Sequence, residues 1–196
     1  MLAPVAALAL VLGGLTAYAQ QWLPAELGSL ANSSGSWVLI AFLLAMLANR
    51  PVLAAVSGGL ALFMLLAGYV IAANLRGHES STQLLVFWGA AAVLVGPFVG
   101  LAAQWARSGG PGRVACGAGL VGGLLIGEAV YGLVVIADTT YPPYWWGQLA
   151  VGLLVLGGIV SARRLEGRVA LAAVAVTAVV ATAFFVVYRM NLIALL

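Results

Sequence analysis

The chain of 196 residues is 64% hydrophobic and only 7% charged, with a formal net charge of +3 and a mean hydropathy of +1.15. An ordinary soluble domain carries about 25% charged residues, so this chain lacks the polar groups to cover a surface facing water, and its solvent is lipid. Eight basic residues, all Arg, are too few to neutralise a phosphate track, which excludes nucleic acid as a partner.

In lipid every backbone N–H and C=O must be paired internally, which leaves helices or closed barrels. Barrel strands show about ten residues of alternating polarity. The apolar runs here reach the length of a helical span without alternating. The predicted fold is therefore all-α, one domain over residues 1–196 built as a polytopic transmembrane helix bundle of about seven spans. The count becomes six if the first is cleaved or the second does not cross.

The first span is Leu2–Ala19. Ala17-Tyr18-Ala19 before Gln20 resembles a signal-peptidase site, but no basic segment precedes the apolar run, so a retained helix is expected. The connection Gln20-Gln21-Trp22-Leu23-Pro24 is long enough to fold back over the outer face. The second span, Ser33–Asn49, is the weakest. Its strongly apolar part, Trp37–Ala48, is short, and Asn32, Ser33, Ser34 and Ser36 suit a helix N-cap. Asn49-Arg50-Pro51 turns the chain into the third span, Pro51–Asn74, with Pro at a first helical position that needs no donor. His78 lies in the next loop beside Glu79, without a second ligand at metal spacing. The fourth span, Gln83–Ala106, contains Gly96-Pro97, which is expected to kink it. Trp88 and Trp105 stand 17 residues apart, about 25 Å along a helix, which matches a pair of interfacial aromatic belts.

The fifth span, Arg113–Ala137, carries the residue least suited to an inert bundle. Glu128 falls about 15 Å below the outer end by helix rise. A carboxylate at that depth costs on the order of 2–3 kcal/mol to insert, so it should face the protein interior with a partner or a proton. Tyr131, three residues on, shares its side of the helix and is placed to hydrogen-bond to it. Two readings stay open for Glu128: contact with a cation, proton or polar ligand, or a purely structural hydrogen bond between helices. Ala115, Gly119, Gly123 and Gly127 repeat at i+4 and form a smooth stripe for close approach of another helix. Packing within the chain is the expected use, and dimerisation the alternative.

The loop Asp138-Thr139-Thr140-Tyr141-Pro142-Pro143-Tyr144-Trp145-Trp146 puts four aromatics and an acid into nine residues. Rings beside a carboxylate suit cations or flat heterocycles. An interfacial anchor is the plainer reading. The sixth span is Trp145–Ala162 and the seventh Val169–Tyr188, where Arg189 can snorkel to the interface.

Arg50, Arg107, Arg113, Arg163, Arg164 and Arg168 all fall in the second, fourth and sixth loops. By the positive-inside rule those loops are cytoplasmic and the N-terminus is inside. Arginine without lysine, with Ala and Gly in excess, is the composition of a GC-rich bacterial genome, so the expected location is a bacterial inner (plasma) membrane. Spans two to four and five to seven would have inverted topology, although no internal repeat is visible. No nucleophile–base pair, metal-binding motif or phosphate loop occurs, and no enzyme, metal or cofactor is expected. The lone Cys116 cannot form an internal disulfide.

The segment Leu23-Pro24, Ser29-Leu30-Ala31-Asn32-Ser33, Trp37 and Ala41-Phe42, with Gly96-Pro97 and Gly127-Glu128 and Tyr131, resembles small actinobacterial membrane proteins assigned only to a domain of unknown function. That resemblance implies a helical membrane domain of this length and no activity. Glu128 with Trp145 and Trp146 is more loosely similar to the substrate-binding membrane subunits of energy-coupling-factor transporters. Those are six-helix bundles, and the small-residue motif of their first helix is not distinctive here. The expected function is binding or transport of a small solute or cation from the outer face. Glu128, Tyr131, Trp145, Trp146, Tyr144 and Asp138 are the candidate ligand-binding residues. The alternative is a structural or assembly subunit that binds another membrane protein or a second copy of itself.

Overall fold

In a computed structural model of the chain, residues 1–78 and 81–190 are described; Glu79, which the sequence sets beside His78, lies outside the described residues. The described residues form helices and no strands. Six helices are long and apolar enough to cross a membrane: α1 (Leu2–Trp22), α4 (Pro51–Leu75), α5 (Thr82–Ser108), α6 (Pro111–Val134), α7 (Pro142–Ala162) and α8 (Gly167–Arg189). The protein is a multi-pass membrane protein. Pro at the first turn opens α4, α6 and α7, where its missing N–H is not needed. α5 runs unbroken through Pro97.

The doubtful second span takes a form the sequence did not show. A one-turn 3₁₀ segment (Ala25–Leu27) leads into the short α2 (Gly28–Asn32), and after a break at Ser33 the chain continues as α3 (Ser34–Ala45). The two parts meet at a bend of 55°. Twelve residues of α3 rise about 18 Å, against a hydrocarbon core of about 30 Å. By length and composition this bent pair is a broken span or a re-entrant loop, and it is called the broken span below. Ser33 is the N-cap of α3, and its hydroxyl accepts the Ser36 N–H.

The long helices pack through glycine. A Cβ on Gly13 would stand 2.0 Å from the Leu65 carbonyl oxygen, and one on Gly68 would stand 1.9 Å from that of Leu10, so α1 and α4 touch backbone to backbone. Gly58, Gly96 and Gly100 join α4 to α5 in the same way. The stripe on α6 is used inside the chain. Cβ atoms on Gly119 and Gly123 would each fall 2.6 Å from a valine Cβ of α8, Val176 and Val180. α6 is the most buried of the six long helices and holds the centre of the bundle. α3 lies against α4, α5 and α6. α4 and α5 pack along each other, whereas α7 and α8 scarcely touch, so the two triplets set out by an inverted topology do not pack alike.

The arginine loops meet at one end of the bundle. Arg107 donates to the carbonyls of Met46 and Ala48, at 2.6 and 2.9 Å, and to Asn49 Oδ1 at 2.9 Å. Arg163 donates to the carbonyls of Arg107 and Gly109 at 2.6 and 2.9 Å. Two guanidinium groups thereby tie together the three loops that follow α3, α5 and α7. Hydrogen bonds to charged groups are worth about 1.5–3 kcal/mol each when buried, and less at an exposed site. Arg107→Ala should lower the unfolding free energy in micelles by about 1–2 kcal/mol, and Arg107→Lys should recover less than half, because one ammonium cannot span three acceptors in a fixed fork.

Candidate functional site

The break before α3 places Glu128. α3 opens with unpaired N–H groups at its first turn, and such a terminus attracts an anion. Here the anion is a side chain of the protein itself. Glu128 Oε1 accepts from the Ser34 N–H and the Ser34 hydroxyl, both at 2.8 Å. Oε2 accepts from the Gly35 N–H at 2.6 Å, the Ser33 hydroxyl at 2.7 Å and Gln148 Nε2 at 2.7 Å. Five donors from α3 and α7 thus converge on one carboxylate that is 4% exposed. None of them is charged. The helix terminus and neutral side-chain donors engage both carboxyl oxygens.

The surrounding groups are satisfied in turn. Gln148 Oε1 accepts from the Tyr144 hydroxyl at 3.0 Å, while the Ser33 hydroxyl, also 3.0 Å away, has one hydrogen and gives it to the nearer Glu128 Oε2. The Ser34 hydroxyl has one hydrogen and spends it on Glu128, so the Tyr188 hydroxyl, 2.9 Å away, is the donor to Ser34. Gly35 is required by close approach: a Cβ there would stand 2.7 Å from Glu128 Oε2 and 2.8 Å from Gln148 Nε2.

Glu128 lies on the floor of a vestibule of about 340 Å³ at the end of the bundle opposite the arginine loops. Asn32 and Ser29 on one side face Thr139, Thr140 and Tyr141 on the other, with Tyr131, Trp88 and Tyr188 around the wall. Of the connection over residues 20–24, Gln20, Gln21 and Trp22 belong to α1, and it is the segment after it, through Ala25, Gly28, Ser29 and Asn32, that lines this mouth. α6 ends at Val134, six residues beyond Glu128, so the carboxylate is about 9 Å below the helix end and shallower than span length suggested.

The sequence-predicted residues separate into groups. Glu128, Tyr131 and Trp145 come together at the vestibule. Tyr131 makes no hydrogen bond to Glu128; its ring packs edge-on against Tyr188 and Phe185, with centroids 5.4 and 6.2 Å away. Trp145 is buried over Gly132, and its Nε1 donates to Thr140 Oγ1 at 2.8 Å. Tyr144 joins the Glu128 network through Gln148 and stacks edge-on against Trp145. Trp146 is 61% exposed and does not line the vestibule, nor does Asp138. Ser33, Ser34, Gly35, Gln148 and Tyr188 are the residues that sequence reasoning missed as site components. Gln148 was detectable, since a buried amide in an apolar span carries the same cost argument as a buried acid.

Residues 1–193 match the family of unknown function DUF6518. The chain belongs to that family. The match takes in every element that builds the DUF6518 vestibule, from the broken span to Tyr188. No curated protein and no solved structure matches the chain.

Proposed function

We propose that this protein is a non-enzymatic membrane bundle that binds a small solute in the vestibule above Glu128, entering from the outer face of the membrane. The outward orientation rests on the six arginines gathered at the opposite end. The observation that carries the proposal is a concave, aromatic-walled space whose floor is a buried carboxylate fixed in place by five donors. Binding sites are generally concave, largely apolar, and equipped with a few fixed polar groups. Because both carboxylate oxygens are already engaged, Glu128 serves as the post that holds α3, and the rings of Tyr131, Tyr141 and Trp88 supply the contact surface. That surface suits organic cations and flat heterocycles. Discontinuous helices commonly form the substrate sites of transporters, which fits the placement of α3 beside the vestibule. The small-residue stripe that the sequence offers to a partner helix is occupied by α8, and it gives no support to an assembly role.

A thermal-shift panel of organic cations and heterocycles on the purified protein tests this. A ligand at about 100 times its Kd adds about 2.7 kcal/mol to the folded state, which should read as a rise of several degrees in Tm and shrink strongly in Tyr131→Ala. If no member of the panel shifts the wild type, or the variant responds equally, the vestibule is not a solute site.

A further inference from the structure

The wall of the vestibule is shared with two further cavities, and together they define a ligand. A polar-rimmed lobe of about 290 Å³ lies between α2, α4 and α5, with Asn32, Tyr69, His78 and Ser81 on its rim. Beneath it, a groove of about 330 Å³ is lined almost wholly by apolar side chains of α3, α4, α5 and α8. Trp37, Ser34, Leu66 and Trp88 line both spaces. Trp88 and Tyr188 also line both the groove and the vestibule, and their rings meet edge to face at 6.5 Å. α5 and α8 scarcely touch, so the groove between them reaches the lipid-facing surface, where Val179 and Val187 are exposed. A space that begins among hydroxyls and amides and ends in the bilayer fits one chemical type at both ends.

We propose that the vestibule, its side lobe and the groove form one site for an amphiphile with an uncharged hydroxyl-bearing head and a single apolar chain. The head occupies the lobe and vestibule, and the chain leaves through the α5–α8 groove into lipid. This rests on the solute-binding role above and narrows its ligand from organic cations and heterocycles to an uncharged amphiphile. Two observations fix the head as uncharged. Among the described residues, no Lys or Arg lines the three spaces, and the one carboxylate that does, Glu128, already holds five donors. An anionic head would be desolvated without a counter-charge, which is costly. Trp37 Nε1 is a buried donor with no partner among the described residues, and Trp37 lines the junction of lobe and groove. A ligand oxygen there would satisfy it. The apolar part is fixed by continuity, since the groove is an inward extension of the surface that already contacts acyl chains.

Native mass spectrometry of the detergent-solubilised protein, titrated with a 1-monoacylglycerol, a lysophosphatidylglycerol of equal chain length, or glycerol, tests the proposal. The expected result is a saturable one-to-one adduct with the monoacylglycerol, at least tenfold tighter than with the anionic lipid. Ala183→Trp, at a lipid-exposed groove position on α8, and Ala91→Trp on α5 should each weaken it tenfold or more. Leu154→Trp, on the exposed face of α7 outside the groove, should leave it unchanged. Equal binding of the two lipids, or equal binding by wild type and both groove variants, overturns the amphiphile. Glycerol or another chain-free solute that binds as tightly as the monoacylglycerol also overturns it and leaves the solute-binding role standing. If no probe here and no member of the soluble panel binds, both fail.

Discussion

Glu128→Ala should be the most destabilising single substitution in the polar interior, lowering the unfolding free energy in mixed micelles by about 3–5 kcal/mol, the range for removing one partner of a buried charged contact. The reason lies in what remains. Two backbone N–H groups at the start of α3 and the amide of Gln148 lose their acceptor where little water reaches. Each buried donor left without a partner costs about 1–3 kcal/mol, and these costs do not simply add. Glu128→Gln should sit between wild type and Ala. Its amide oxygen can still accept, but its NH₂ group must face at least one of the same N–H donors. Glu128→Asp keeps the carboxyl group and shortens the reach by one methylene, and should lose part of the network. An unfolding titration of the three variants orders them. Wild-type stability for Glu128→Ala would mean that α3 is held by something else.

The second large effect concerns the glycine contacts that join the long helices. Gly68→Ala puts a methyl group 1.9 Å from the Leu10 carbonyl oxygen, and Gly100→Ala puts one 1.9 Å from that of Ala54. Both neighbours are backbone, so relief requires the helices to part. Overpacking a well-fitted contact costs about 1–3 kcal/mol, and the loss should lie at the upper end here because whole helix faces separate. Gly157→Ala and Gly158→Ala, with open space around the added methyl group, are the internal controls and should be near neutral. Gly35→Ala should cost less than Gly68→Ala, since the atoms it meets are ends of side chains. Retention of wild-type thermal stability in Gly68→Ala and Gly100→Ala would show that α4 is not gripped from both sides.

Much of the architecture was legible because lipid imposes it. The long apolar runs, Pro51 as a helix opener and the packing role of Gly119 and Gly123 follow from span length, backbone pairing and side-chain size, all of which are local. The break at Ser33 was not legible. Asn32, Ser33, Ser34 and Ser36 read as caps of an ordinary span, and what lets the helix start there is a carboxylate more than ninety residues away in sequence. Glu128 itself stood out by cost alone, but its partners did not, since Tyr131 at i+3 looked like the natural neighbour and turned instead to Tyr188 and Phe185. Trp145 and Trp146 show the same limit. Adjacent helical residues point about 100° apart, so one is buried over Gly132 and the other is exposed, and nothing in the composition says which.

A double-mutant cycle between Glu128 and Gln148 tests most directly whether the broken span is pinned by this carboxylate. Unfolding free energies would be measured for wild type, Glu128→Ala, Gln148→Leu and the double variant in one micelle system. The expected coupling is about 1–3 kcal/mol, the range for residues in one hydrogen-bond network, with Gln148→Leu costing much less in the Glu128→Ala background than alone. Additive effects, within about 0.5 kcal/mol, would contradict the network and the account of α3 built on it.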